Sequence, residues 1–132
     1  MTEAALSRVV LLVEDEPIIQ ELMLTALEEA GFEVEVAADD NEAVAALQAE
    51  RDCSFAALVT DVNLGGPMTG WDIGKMAREQ NPAIPVVYMS GAAGHEWPSH
   101  GVPHSTLLVK PFAPAQLIVA LSTLMNKTDT DG

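Results

Sequence analysis

Near its start the sequence has a short apolar run, residues 9–13, that leads directly into three acids, Glu14, Asp15 and Glu16. A run of β-branched and aliphatic residues this short is typical of a fully buried strand. Neighbouring carboxylates repel each other, and such clusters are tolerated where a hard divalent cation such as Mg²⁺ takes oxygen ligands. The run therefore predicts a buried strand whose carboxyl end carries a metal site.

Three later apolar runs also end at polar residues. Residues 55–60 are followed by Asp61, residues 84–89 by Ser90, and residues 106–109 by Lys110. In a parallel sheet all carboxyl ends lie on one edge, and ligands bind in the crevice beyond that edge. We therefore expect these side chains to converge with the first acids although they are far apart in the chain.

Segments with apolar residues at helical spacing separate the runs. The predicted helices cover residues 17–30, 40–49, 71–80 and 114–125, with Asp40 or Asn41 as the cap of the second, and a further strand covers residues 32–37. Strands that alternate with helices indicate right-handed crossovers and a parallel sheet covered on both faces.

The chain resembles the receiver domains of two-component response regulators over residues 8 to 125. The residues that carry the resemblance are Glu14-Asp15, Asp61 with Asn63, Gly70, Ser90-Gly91 and Lys110-Pro111-Phe112. The resemblance implies an α/β, flavodoxin-like, three-layer sandwich with a five-stranded parallel sheet of order 2-1-3-4-5 and about five helices. We expect one receiver domain over residues 8–126, between a flexible N-terminus, 1–7, and a flexible tail, 127–132.

The resemblance also implies a role for each site residue. Asp61 would accept a phosphoryl group from a phosphohistidine on a histidine kinase or phosphotransfer protein. Lys110 would direct a fixed positive charge toward that group or toward Asp61, and Ser90 would donate its hydroxyl to that group. Mg²⁺ or Mn²⁺ would be held by Glu14, Asp15, Asp61 and the backbone carbonyl of Asn63, and the peptide bond before Pro111 would be cis. The domain would modify itself rather than turn over a separate substrate, apart from reaction with small donors and loss of its own phosphoryl group.

The chain departs from the family pattern on the output side. Leu107 stands where receiver domains usually place an aromatic switch residue on the last strand. Residues 91–105, where the fourth helix belongs, contain three glycines and two prolines, and both residue types oppose a helix. We expect a short or irregular fourth helix, and a changed binding surface formed by that region, the last strand and the last helix.

The same region contains His95, His100 and His104. Their irregular spacing across prolines, with no cysteine beside them, favours a polar loop over a metal site. The loop of residues 63–70 is about one residue longer than the commonest family version. Trp71 beyond it is expected to be a packed residue at the start of the third helix.

Composition limits the function classes. The chain has 132 residues and a formal net charge of −14, which argues against gripping a phosphate backbone and hence against a nucleic-acid partner. No run approaches the ~20 apolar residues of a membrane span. A cytoplasmic location is the expectation, and the single Cys53 forms no internal disulfide. Met1 and the short polar tail favour a stand-alone chain over the excised receiver of a hybrid kinase.

Two other functions stay open from the residues. A Mg²⁺-dependent phosphatase of the haloacid-dehalogenase type also uses an aspartyl nucleophile, but it usually carries Asp-x-Asp at the end of the first strand. Here Asp15 is followed two positions later by Pro17. A pseudo-receiver would bind partners without phosphorylation. Taken singly, each site residue also fits a plain structural role, such as a helix cap for Asp15 or a turn residue for Ser90.

Overall fold

The computed structural model of the chain describes residues 8–51, 54–91 and 97–131. Five strands are present in these ranges: β1 (Val9–Val13), β2 (Glu33–Ala37), β3 (Ala57–Asp61), β4 (Val86–Ser90) and β5 (Ser105–Val109). Five helices alternate with them: α1 (Pro17–Glu29), α2 (Asp40–Gln48), α3 (Gly70–Gln80), α4 (Trp97–His100) and α5 (Pro114–Asp131). None of the described helices is long and apolar enough to cross a membrane.

The strands form one parallel sheet in the order β2-β1-β3-β4-β5, which confirms the predicted fold class. The register aligns the strand ends: Val13 pairs with Ala37 and Thr60 on either side. Ser90 at the end of β4 pairs with Val109 at the end of β5. The polar residues that follow the strands therefore emerge along one edge.

Helices cover both faces of the sheet. Alternate strand residues point to opposite sides, and the apolar residues on each side pack against helices. On β1, Leu11 and Val13 pack with residues of α2 and α3, while Val10 and Leu12 pack with residues of α1 and α5. All four side chains are completely buried. The continuous apolar run of β1 thus reflects a central strand with two apolar faces.

The N-cap of the second helix lies one residue earlier than predicted. Asp39 is its N-cap, and the Asp39 side chain accepts a hydrogen bond from the backbone N–H of Glu42 at 2.8 Å. The predicted caps, Asp40 and Asn41, are the first two residues of the helix. The three residues have similar capping propensities, so the pattern alone did not distinguish them.

The other helices follow the predictions with changes at their ends. The third begins at Gly70 with a capping box made by Thr69 and Asp72. The fourth is a single turn, as the glycines and prolines predicted. The fifth is longer than predicted and reaches Asp131. The predicted flexible N-terminus, Cys53 and His95 lie outside the described residues.

Candidate functional site

The carboxyl edge of the sheet carries an acidic cluster, as the sequence predicted. One carboxylate oxygen from each of Glu14, Asp15 and Asp61 lies within 4.8 Å of the others. Glu14 is completely buried, Asp61 is 6% exposed, and Asp15 faces solvent. An all-oxygen donor set of this kind fits a hard divalent cation such as Mg²⁺, with the exposed side left for water and a ligand.

Lys110 projects into this cluster from the end of β5. Its Nζ lies 3.1 Å from Glu14 Oε1 and 3.2 Å from Asp61 Oδ2. The exposed carboxylate of Glu16 approaches the same nitrogen at 4.0 Å. The contact with Asp61 was predicted, whereas the bond to Glu14 was not. It joins residues 96 positions apart, so no local pattern reveals it.

Burial and charge shift the pKa values of these groups. Burial raises the pKa of Glu14, and the charge of Asp61 adds to the effect. Burial also raises the pKa of Asp61, although the ammonium of Lys110 opposes it. Burial by itself would lower the pKa of Lys110, but the charges of Asp61 and Glu14 outweigh it and raise that pKa. The single ammonium of Lys110 therefore only partly offsets the repulsion between the carboxylates. A bound divalent cation would offset the remaining repulsion.

Backbone groups hold the acids in place. The Glu14 side chain accepts a hydrogen bond from the backbone N–H of Glu16 at 3.0 Å, and its own N–H donates to the carbonyl of Ala37 at 3.0 Å. The amide of Gln20 on α1 donates to the Glu14 carbonyl at 2.5 Å. The Asp61 carboxylate accepts from the backbone N–H of Asn63. The site is thus assembled on the rigid end of the sheet.

Ser90 and Lys110 lie on neighbouring strand ends. The backbone N–H of Lys110 donates to the Ser90 carbonyl at 2.9 Å, and Ser90 is 6% exposed. Beside it, a Cβ added at Gly91 would meet no atom of the described residues within 4 Å. The Lys110–Pro111 peptide bond is cis, as predicted.

The histidines of the fourth-helix region do not join a metal-ligating group in the described part of the chain. The acidic cluster is the one group of three candidate ligands found there. The ring of His100 lies 6.2 Å from that of Trp71, and His104 lies in an exposed loop with a φ of 58°. His100 is thus the last residue of α4, and His104 lies in the loop that follows it.

Sequence reasoning missed one aromatic residue near the site. Tyr88, two residues before Ser90 on β4, is completely buried and packs on Trp71 with ring centroids 4.6 Å apart. Its hydroxyl accepts a hydrogen bond from the N–H of Val102 at 3.1 Å. Burial raises its pKa. Trp71 is buried at the start of α3 as expected, and Leu107 pairs with Tyr88 across the sheet. The sequence signal that could have identified Tyr88 is an aromatic residue with a hydroxyl group inside an otherwise apolar strand.

Comparison with known proteins gives a consistent result. Residues 10–122 match the model of the response regulator receiver domain. The chain is 30% identical over 121 residues to the probable transcriptional regulatory protein TcrX of Mycobacterium tuberculosis, covering 90% of this chain and 50% of TcrX. It is 32% identical over 120 residues to the transcriptional regulatory protein CusR of Escherichia coli K12, covering 89% of this chain and 51% of CusR. The chain thus spans about half the length of these curated relatives.

Solved structures agree in fold and extent. A response regulator receiver protein from Sinorhizobium medicae is 38% identical with a TM-score of 0.87, and the match covers 92% of this chain and 97% of that one. The chemotaxis response regulator CheY4 of Vibrio cholerae is 32% identical with a TM-score of 0.75, covering 90% and 99%. The chain belongs to the response regulator receiver domain family.

Proposed function

We propose that this chain is a phosphoacceptor domain that takes a phosphoryl group from a phosphohistidine onto Asp61 with Mg²⁺. The donor would be a histidine kinase or a histidine phosphotransfer protein. The observation that carries the proposal is the buried Asp61 carboxylate, which lies within 4.8 Å of two further acids and 3.2 Å from the ammonium of Lys110. Family membership and the receiver fold support it.

The transfer uses few groups. A carboxylate oxygen of Asp61 forms a bond to phosphorus while the bond from phosphorus to the donor's imidazole nitrogen breaks. Glu14, Asp15, Asp61 and the backbone carbonyl of Asn63 would hold Mg²⁺, which supplies positive charge that draws the phosphoryl oxygens to an otherwise anionic edge. Lys110 adds a fixed positive charge, and Ser90 donates its hydroxyl to a phosphoryl oxygen of the product.

The output of the domain would be a changed protein-binding surface around α4, β5 and α5. This face exposes apolar side chains, since Val109 is 57% and Val119 65% exposed. The curated relatives are named as transcriptional regulators and are twice as long. We propose a protein target rather than a nucleic acid, because the net charge of −14 disfavours a phosphate backbone.

Intact mass spectrometry tests the proposal directly. After incubation with acetyl phosphate and Mg²⁺, the native chain is expected to gain the mass of one phosphoryl group. The gain is expected to vanish in Asp61→Asn and to fall strongly when Mg²⁺ is chelated. Glu16→Gln is the matched control, because Glu16 lies beside the site but is exposed and 4.0 Å from Lys110, so it should keep the gain.

Two results would point elsewhere. If the native chain gains no mass from acetyl phosphate, phosphoramidate or a phosphohistidine donor, the pseudo-receiver interpretation becomes the better one. Continuous hydrolysis of several phosphomonoesters, lost in Asp61→Asn, would favour the phosphatase.

A further inference from the structure

A buried carboxylate outside the acidic cluster lies beneath the loop that follows β3. Asp40, the first residue of α2, is 3% exposed. One of its oxygens accepts a hydrogen bond from the N–H of Asn41 at 2.9 Å, and the other accepts from the N–H of Met68 at 3.1 Å. Buried carboxylates need such partners. The bond to Met68 joins residues 28 positions apart. It therefore ties the loop, which leads into α3, to α2.

Gly66 lies directly on the same carboxylate. A Cβ at Gly66 would fall 2.6 Å and 2.7 Å from the two Asp40 oxygens, which is closer than real side chains come. The left-handed φ of +77° belongs to the neighbouring Gly65. Gly66 therefore allows the close approach of its backbone, and the middle of the loop meets Asp40 at two points, by packing at Gly66 and by the hydrogen bond from Met68.

The two ends of this loop, residues 62–69, are fixed on the site itself. The N–H of Val62 donates to the carbonyl of Met89 at 2.9 Å, and the N–H of Gly70 donates to the carbonyl of Val62 at 2.8 Å. Immediately after Val62, the N–H of Asn63 binds the Asp61 carboxylate. A movement in the middle of so short a loop therefore reaches Asn63.

We propose that Asp40 is a positioning residue for phosphoryl transfer. By holding the loop at Met68 and Gly66, it fixes the backbone of Asn63, which stabilises the Asp61 carboxylate and would offer its carbonyl to Mg²⁺. The inference rests on the proposed function for the role of Asp61. Helix α2 contributes no ligand to the acidic cluster. The inference adds one of its residues, Asp40, to the groups that set the metal affinity.

The test compares three variants at a temperature where all are folded, using a Mg²⁺ titration followed by backbone amide chemical shifts. Asp40→Asn keeps the shape but turns an amide –NH₂ toward one of the two N–H donors. Gly66→Ala keeps the charge but displaces the carboxylate. Asp39→Asn removes a negative charge at the start of the same helix, keeps a side chain that can cap it and does not touch the loop. We expect the Mg²⁺ dissociation constant to rise at least threefold in the first two and to stay within twofold in the third.

The Met68 amide signal supplies a second readout, since it should move when its carboxylate acceptor is lost and stay in place in Asp39→Asn. Equal Mg²⁺ affinity in all three variants would overturn the proposal and leave Asp40 a part of the fold only. A loss in Asp40→Asn without one in Gly66→Ala would also overturn it, because charge rather than loop position would be the cause. Failure of the native chain to gain a phosphoryl group would instead reject the proposed function, and the metal titrations would still be informative.

Discussion

The chemistry of the site depends on single charges at fixed places. Lys110 is the one cation in contact with the acidic cluster among the described residues, with bonds of 3.1 Å and 3.2 Å to Glu14 and Asp61. The same carboxylates are the candidate metal ligands. The ammonium and a divalent cation therefore compete for negative charge in the resting site, while both would stabilise an added phosphoryl group.

Replacing Lys110 with Met keeps most of the side-chain length and removes the cation. Mg²⁺ binding is expected to persist or tighten, because the local charge becomes more negative. Phosphorylation from acetyl phosphate should slow by about tenfold or more, since one positioned charge commonly contributes on the order of 1.4 kcal/mol or more to a phosphoryl-transfer barrier. A metal titration and a phosphorylation time course on the same sample measure the two effects.

The exposed Lys75 on α3 offers a matched change of charge, and Lys75→Met should leave both quantities unchanged. Loss of Mg²⁺ affinity in Lys110→Met would mean that the lysine organises the acidic cluster instead of competing for it.

At the scale of elements, β1, β3, β4 and β5 were predictable because each is a short apolar run that ends at a polar residue. The order of the strands followed from the resemblance to receiver domains. The site residues Glu14, Asp61 and Lys110 followed from the same pattern, since the edge of a parallel sheet collects strand ends. The start of α2 was not predictable, because Asp39, Asp40 and Asn41 cap a helix equally well. Only the tertiary contact with Met68 distinguishes Asp40 from its neighbours. The spacing of residues in the sequence does not predict that contact.

The packing of α3 on β4 gives a stability prediction. A Cβ at Gly74 would collide with the hydroxyl of Tyr88, which cannot swing away because it is buried against Trp71 and bonded to Val102. Gly74→Ala should gain up to about 1 kcal/mol of helix propensity but lose about 1–3 kcal/mol to overpacking. We expect net destabilisation, measured as a lower free energy of unfolding in a urea titration.

Tyr88→Phe removes the colliding oxygen and supplies the control. On its own, Tyr88→Phe should lower the free energy of unfolding by about 1–3 kcal/mol, because the Val102 N–H loses its acceptor. In the Tyr88→Phe background, Gly74→Ala should lower the free energy of unfolding less than in the native chain, although the added Cβ would still lie 3.0 Å from Cζ and 3.1 Å from Cε1 of the ring. Additive effects in this double-mutant cycle would show that the collision is relieved elsewhere.

Across the whole molecule, the site is connected through β4 to the face that we propose for output. Ser90 ends that strand, and Tyr88 two residues earlier binds the N–H of Val102 at 3.1 Å. The carbonyl of Val102 accepts from the Ser105 hydroxyl at 2.6 Å, which in turn accepts from the indole of Trp97 at 2.9 Å. Residues 97–105 thus form a small hydrogen-bonded unit on β4, although the usual aromatic position on β5 is occupied by Leu107.

This unit is the element that phosphorylation is expected to bias. A hydrogen bond from Ser90 to a phosphoryl oxygen contributes about 1.5–3 kcal/mol with a charged acceptor, enough to shift a local opening equilibrium by roughly tenfold or more. Amide hydrogen exchange over residues 97–105 should therefore slow by that factor when Mg²⁺ and beryllofluoride, which mimics the phosphoryl group, are bound. Ser90→Ala should remove the slowing while keeping beryllofluoride bound at Asp61. Slow exchange in both states would contradict this mechanism and make α5 the element to examine.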